Sequence, residues 1–400
     1  MFLLTRWQNI STADLRGFAV VFFIVTNVAL YYEEWSILIL LGQGFIVSAA
    51  FFELFRRKLI RDKFLFVEFS GFLALSVLSL FWSVGQDLTL ESVIFLAKCI
   101  IFSLSLRICL SDWEIVKKTV RYFALSSLIY AIMYLQKIGV DDLAYARLSV
   151  DIEGLPNINT VASIVVFPAV FYFSMFIEKR KTIHFLFFVL SAVALVFLGS
   201  RRSILITMLV VVATFFLKGK NRILEGALIS AGIFYAVVFL VPTEYLLFNL
   251  DRIFSLADAT DIDGSDTIRL QLLNFSADMF SNAPVLGNGY YTFSYLNFSH
   301  NGLLVYAHNN YMETLVGLGV VGLILYYAVY VRLVRNCFFI LKGFSGKSDT
   351  IFVYIVSMYL AFQLLGQFFI SVTNDRYVWV FLAIASAACY EFWQRRFLIK

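Results

Sequence analysis

Charge is scarce in this chain. Of its 400 residues, 15% are Asp, Glu, Lys or Arg, whereas 61% are hydrophobic and the mean hydropathy is +0.83. A soluble domain of this length needs roughly a quarter of its residues charged to cover its surface, so a soluble fold is excluded. Cysteine is equally sparse. Cys99, Cys109, Cys337 and Cys389 are the four present, they fall within apolar runs or beside basic ones, and none stands in a CxxC or Cys/His spacing. Disulfides and a metal site are therefore not expected. No G-x-x-x-x-G-K-[ST] occurs, which argues against a reaction driven by ATP; no cofactor and no nucleic-acid partner are expected.

Long apolar runs take the place of charge. Twelve stretches approach the roughly 20 helical residues that cross about 30 Å of hydrocarbon: 17–33, 35–55, 64–84, 90–110, 119–138, 157–177, 183–200, 203–217, 223–241, 306–331, 350–371 and 377–393. They are continuously apolar rather than alternating in segments of about ten, so the expectation is an all-α polytopic membrane bundle and not a β-barrel. The first run is too long for a signal peptide and lacks an A-x-A cleavage site, so it is expected to remain as a helix. Alternation from an inside N-terminus gathers Arg56-Arg57-Lys58, Lys117-Lys118, Lys179-Arg180-Lys181, Lys218 to Arg222, Arg332 to Lys347 and Arg395-Arg396 on one face, with most of the 32 lysines and arginines. The positive-inside rule makes that face cytoplasmic, with both termini inside. The chain reads as a single integral membrane domain, 1–400, in which 242–305 form one large outer loop containing short amphipathic helices.

A few cations defy the charge bias: Arg147, Arg201, Arg202, Arg252, Arg269 and Arg376 fall on the outer face. A guanidinium captures phosphate or carboxylate bidentately, and a lipid diphosphate is the natural anion at that depth. Arg252 and Arg376 stand beside Asp251 and Asp375 and read as ordinary ion-pair residues. Arg201 and Arg202 occupy the turn Gly199-Ser200-Arg201-Arg202-Ser203 between two spans, where snorkelling to headgroups is the structural alternative. Arg269 lies in a stretch whose Ile268, Leu272, Phe275 and Met279 recur at helical spacing, an amphipathic helix suited to the membrane surface.

Among three histidines, His184 and His300 read as solvated. His308 stands at the mouth of the tenth span, in Tyr306-Ala307-His308-Asn309-Asn310-Tyr311-Met312-Glu313. An imidazole there can take a proton from a sugar hydroxyl; the alternative is a histidine bonded to backbone or capping a helix. Glu313 is costly inside a span unless it finds a partner. Gly317, Gly319 and Gly322 follow, small enough to admit a neighbouring helix closely.

Taken in order, Leu155-Pro156-Asn157-Ile158-Asn159-Thr160, Gly199-Ser200-Arg201-Arg202-Ser203, Arg269, Leu286-Gly287-Asn288-Gly289, and His308-Asn309 with Glu313 and Gly319-Val320-Val321-Gly322 resemble the O-antigen polymerase and O-antigen ligase superfamily of bacterial membrane glycosyltransferases. The resemblance implies an all-helical bundle in the inner membrane, a periplasmic site, and an undecaprenyl-diphosphate-linked oligosaccharide as donor, without metal or nucleotide sugar. It implies membrane lipid and a chain-length regulator as partners. By the same resemblance Arg201 and Arg269 bind the diphosphate, with Arg202 the alternative to Arg201. His308 activates the acceptor hydroxyl for an inverting attack, and Asn309, Glu313, Asn157 and Tyr306 support it. Ligases acting on lipid A-core commonly carry a second histidine where this chain has Tyr306, and Ala307-His308-Asn309-Asn310-Tyr311 looks more like repeat-unit polymerases. Polymerase is therefore preferred over ligase. A transporter of lipid-linked glycans is the reading from another class, but transporters place ionisable residues near the midplane, whereas these gather at one face.

Overall fold

The computed structural model describes residues 12–30, 35–57, 63–138, 157–198, 200, 203–205, 207–209, 211, 264–344, 349–373 and 375–397. The chain enters as α1 (Thr12–Ile24), which continues through a π-helical turn over Val25–Ala29, and then forms α2 (Ser36–Arg57), α3 (Lys63–Leu78), α4 (Gln86–Cys109) and α5 (Trp113–Ile138). After these come α6 (Ile158–Lys179), α7 (Thr182–Leu198), α8 (Gly264–Asn282), α9 (Phe293–Asn301), α10 (Asn310–Gly343), α11 (Thr350–Gly366) and α12 (Arg376–Phe397). No strand occurs among the described residues. Four of these helices, α2, α4, α6 and α10, are long and apolar enough to cross a membrane, and Leu65–Phe81, α7 and α11 are shorter apolar helices. The fold is an all-α polytopic bundle. Of the twelve expected spans, 203–217 is described only in fragments and 223–241 lies outside the described residues.

Boundaries shift where side chains cap or backbone breaks. The tenth span begins at Asn310 rather than 306, because Asn309 adopts extended backbone and its side chain accepts the N–H groups of Tyr311 and Met312, at 3.0 and 3.1 Å. That satisfies donors that a helix start leaves unpaired. The same helix runs on to Gly343, well past the expected 331, and α11 stops at Gly366.

Polar groups inside the bundle are answered by other polar groups. Pro168 sits within α6 and cannot donate to the carbonyl of Ile164 one turn back. Tyr377 of α12 points its hydroxyl at that carbonyl at 3.4 Å, and Tyr359 of α11 donates to the adjacent Ser163 carbonyl at 2.9 Å. At the basic end of the bundle, acids answer arginines: Arg332 holds Glu68 at 2.8 Å, and the buried pairs Arg16–Glu53 and Arg107–Glu391 close at 3.4 and 3.6 Å. The four cysteines are buried free thiols.

One irregularity organises the region around His308. Within α10, Gly319 has φ 64° and ψ −165°, which interrupts the helix. A continuous helix would pair Val320 N–H with Val316 C=O and Val321 N–H with Gly317 C=O. Instead, Val320 N–H donates to Pro284 C=O at 2.9 Å and Val321 N–H to Val285 C=O at 3.3 Å. The freed carbonyl of Val316 accepts Asn288 N–H at 2.9 Å and the Asn288 side-chain amide at 3.1 Å, and that of Gly317 accepts Gly289 N–H at 2.8 Å. Two lost intrahelical bonds are thus replaced by contacts to a segment inserted beside the break.

The glycines are required on both sides. A Cβ on Gly319 would overlap the Val285 carbonyl, and one on Gly287, whose φ is +68°, would overlap the Gly317 carbonyl. These glycines were expected to admit a neighbouring helix; Gly317 and Gly319 admit a loop backbone. On its far side the inserted segment meets the turn between α3 and α4: Val84 N–H donates to Asn288 C=O at 3.0 Å, and Tyr290 N–H to Ser79 Oγ at 3.0 Å. The segment 284–290 is therefore built into the bundle and is not a free outer loop.

Gly319→Ala combines a left-handed residue with a backbone overlap and should destabilise the fold by about 1–3 kcal/mol. Thermal unfolding in detergent checks this, with Gly17→Ala in α1 as control, since nothing lies within 4 Å of the Cβ it adds. Equal unfolding temperatures for the two variants would contradict the interlock.

Candidate functional site

The inserted segment carries α8 and α9 with it. Leu272, Phe275 and Met279 of α8 pack with Phe293 and Leu296 of α9 and with Ala307, Met312 and Val316 at the start of α10, forming a small apolar cluster apart from the main core. Three of the four apolar positions expected for α8 thus face protein. Ile268 does not: it is 47% exposed, one turn before Leu272, and stands outside that cluster. One position on, Arg269 is exposed on the same end of the helix.

His308 sits just before α10 with φ 51°, a left-handed conformation uncommon for residues other than glycine. Its ring lies 4.2 Å from the ring of Tyr306, tilted by 44°. Burial, and behind it the positive charge of Arg269, push its pKa down to about 4. Both causes disfavour a second proton on the imidazole. At neutral pH His308 is therefore an uncharged ring with a lone pair to offer, held in the field of a guanidinium.

Beneath it, Glu313 is 2% exposed in the first turn of α10. One carboxylate oxygen, Oε2, accepts Ala307 N–H at 2.9 Å, which pins the backbone between Tyr306 and His308. The other, Oε1, is buried and accepts no hydrogen bond. A buried carboxylate with a vacant lone pair is a high-cost arrangement that a structure keeps for a ligand, a proton or a neighbour's positioning. Tyr291, also left-handed at φ 61°, lies within electrostatic reach of Glu313 and Tyr306. Burial raises its phenol above the ordinary value, with Glu313 adding to the effect, so Tyr291 stays protonated and remains a donor.

The structure brings five of the sequence-derived residues together: His308, Arg269, Tyr306, Glu313 and Asn309, the last as the cap of α10. Asn157 is engaged locally, capping α6 by accepting Asn159 N–H at 2.8 Å. Arg201 and Arg202 lie outside the described residues. His300 is exposed, its Nδ1 3.0 Å from the Leu296 carbonyl, and His184 begins α7 beside the Tyr172 ring.

Two residues escaped the sequence reading as site members. Tyr291 is one; its signal was its place two residues after Gly289, behind Gly287-Asn288-Gly289-Tyr290. Asn310 is the other. It is wholly buried, donates to Gln367 Oε1 at 2.9 Å and accepts the N–H groups of Val372 and Thr373 at 2.8 and 3.0 Å. Gln367 in turn donates to Tyr330 and accepts from Tyr327. Asn310 thereby fixes the first turn of α10 against the end of α11, while its neighbour Asn309 supplies the cap.

Comparison with known proteins adds one positive finding. Residues 186–327 match the family model described as O-Antigen ligase, so this part of the chain is similar to that family. The matched stretch runs from α7 to the middle of α10 and takes in Arg269, Gly287, Gly289, His308, Glu313 and Gly319. No curated protein matches the chain.

The lowered pKa of His308 has a consequence for stability. In the unfolded chain a histidine binds its proton near pH 6.5, whereas in the fold it does so only near 4. Between these values the unfolded chain holds more protons, so stability falls as pH drops from about 6.5 to about 4 and is untouched above that window. His308→Gln should remove this part of the acid sensitivity. Unfolding temperatures in detergent at neutral pH and at about pH 5 measure it, the wild type losing more than the variant.

Proposed function

We propose that the protein transfers a glycan from a polyprenyl diphosphate to a hydroxyl of the terminal sugar on another lipid-linked repeat unit, at the periplasmic face of a bacterial inner membrane. The observation that carries this reading is the pairing of an uncharged, half-buried His308 with Arg269, beside a buried Glu313, inside the stretch matched to the O-antigen ligase family. The acceptor oxygen attacks the anomeric carbon while the bond from that carbon to the diphosphate oxygen breaks. The diphosphate leaves with the electron pair, and the hydroxyl proton passes to the free ring nitrogen of His308. Attack opposite the leaving group inverts the anomeric centre.

Arg269 acts on both partners. Its guanidinium suits an oxygen-rich anion, where it stabilises charge developing on the leaving diphosphate. The same positive charge holds down the basicity of His308 in the empty site. A bound diphosphate neutralises that charge, so loading the donor raises the proton affinity of the imidazole when a base is needed. Arg201 or Arg202 supplies the second cation. Glu313 is a positioning residue, acting on His308 through the Ala307 N–H.

Tyr306 supports polymerase over ligase. Its ring occupies the place beside His308 where lipid A-core ligases commonly present a second histidine, and an aromatic face suits a sugar acceptor. Both readings share the donor chemistry and differ in the acceptor.

His308→Ala should leave the protein folded and inserted, abolish polymer, and let lipid-linked single repeat units accumulate. Gels of cell-surface glycan separate the readings: lipopolysaccharide with one repeat unit marks a lost polymerase, and bare core with retained lipid-linked polymer marks a lost ligase. Polymer of normal length and amount in His308→Ala would sink the mechanism. In a reconstituted assay, Arg269→Ala should lower kcat by about 10²–10³-fold. The acid limb of wild-type kcat should lie at higher pH than that of kcat/KM, because the first reports the donor-loaded site and the second the empty one. Coincident limbs would contradict the coupling of Arg269 to His308.

A further inference from the structure

A groove of about 710 Å³ runs along α10 beside α3. Its walls are apolar where α10 presents Leu323, Ile324, Ala328 and Val331, Tyr311 and Tyr327 line it midway, and Arg332 and Arg335 line its basic end. The surface around it is built for lipid: Val67, Ile324 and Val331 are each more than 60% exposed. From Leu323 to Arg335 the helix rises about 18 Å, close to the depth of one leaflet in a hydrocarbon core of about 30 Å.

The charges at the basic end are unequal. Arg332 is committed to Glu68, donating through Nε at 3.0 and 3.1 Å and through Nη2 at 2.8 Å, which leaves that pair neutral overall. Arg335, one turn nearer the basic end, is exposed, and no carboxylate among the described residues pairs with it. An apolar channel of one-leaflet length therefore ends in a net positive charge.

We propose that this groove binds an anionic phospholipid, with the headgroup phosphate on Arg335 and one acyl chain along Leu323, Ile324, Ala328 and Val331. A phosphodiester matches the guanidinium fork, and the net negative charge of the headgroup distinguishes the ligand from a zwitterionic lipid, whose own cation would face Arg335. The groove is also lined by Tyr311, whose ring stacks on Tyr327 at 4.6 Å and whose N–H is held by the Asn309 cap. The bound chain thus lies along the helix that carries the cap next to His308. This inference is independent of the transfer reaction, since it uses none of its residues.

Native mass spectrometry of the full chain, released from nanodiscs of phosphatidylcholine with or without phosphatidylglycerol, tests it. Phosphatidylglycerol should be retained in preference to phosphatidylcholine. Arg335→Ala should cut that retention about fivefold, the worth of one basic residue near a lipid surface, and Arg335→Lys should keep most of it. Ile324→Trp, at a surface position that leaves the packing intact, should block retention of both lipids. Equal retention of the two lipids, unchanged retention in Arg335→Ala, or displacement of phosphatidylglycerol by polyprenyl phosphate would each overturn the proposal. Unfolding temperatures of the variants confirm that they remain folded.

Discussion

The exchange of backbone hydrogen bonds at Gly319 is the constraint on which the site region depends. In hydrocarbon an unpaired N–H or C=O costs several kcal/mol, so a broken helix persists only if other groups replace what it lost. Here the carbonyls of Pro284 and Val285 and the amides of Asn288 and Gly289 do so, one for each group released by the break. The consequence reaches outward. The inserted segment fixes where α8 and α9 stand, and α8 brings Arg269 to the mouth of α10. Without the break, the loop loses its backbone partners in α10, and with them the placement of Arg269 relative to His308.

The electrostatics of the site follow from the same placement. His308 stands half-buried at the end of an apolar cluster and under the influence of Arg269, two conditions that both favour the uncharged ring. Glu313 sits a turn into the helix with one oxygen bound to the Ala307 amide and the other without a hydrogen bond. A cation at the rim, a free base behind it and a carboxylate beneath form a gradient of charge and burial across one helix start. Chemistry that separates an anionic leaving group from a proton suits such a gradient.

Elsewhere the bundle solves the same polar-group problem with side chains. Asn310 and Gln367 share a network with Tyr327 and Tyr330, and Tyr359 and Tyr377 serve the carbonyls around Pro168. Aromatic residues make up 18% of the chain. Many of its tyrosines are here internal hydrogen-bonding groups with apolar bodies rather than interfacial anchors. Asn309 and Asn310, adjacent in sequence, diverge completely: one caps the helix and the other locks it to α11.

Composition and run length by themselves determined the class of fold, because hydrophobic thickness and backbone satisfaction leave few ways to cross a bilayer. The order of Arg269, the Gly287–Gly289 turn, His308, Glu313 and Gly319 marked a stretch that the family match also covers, and His308 stood out as a rare polar residue at a span mouth. Sequence periodicity also found the inward face of α8, apart from Ile268, since a helix repeats every 3.6 residues wherever it packs. Tertiary structure alone decided that Gly287 and Gly289 meet Gly317, that Val285 meets Gly319, and that Tyr291 comes within reach of Glu313. The meeting of the two glycine segments rests on hydrogen bonds between stretches about thirty residues apart, whose pairing is set by which backbone groups the break in α10 leaves unsatisfied. No local pattern in the chain encodes that pairing.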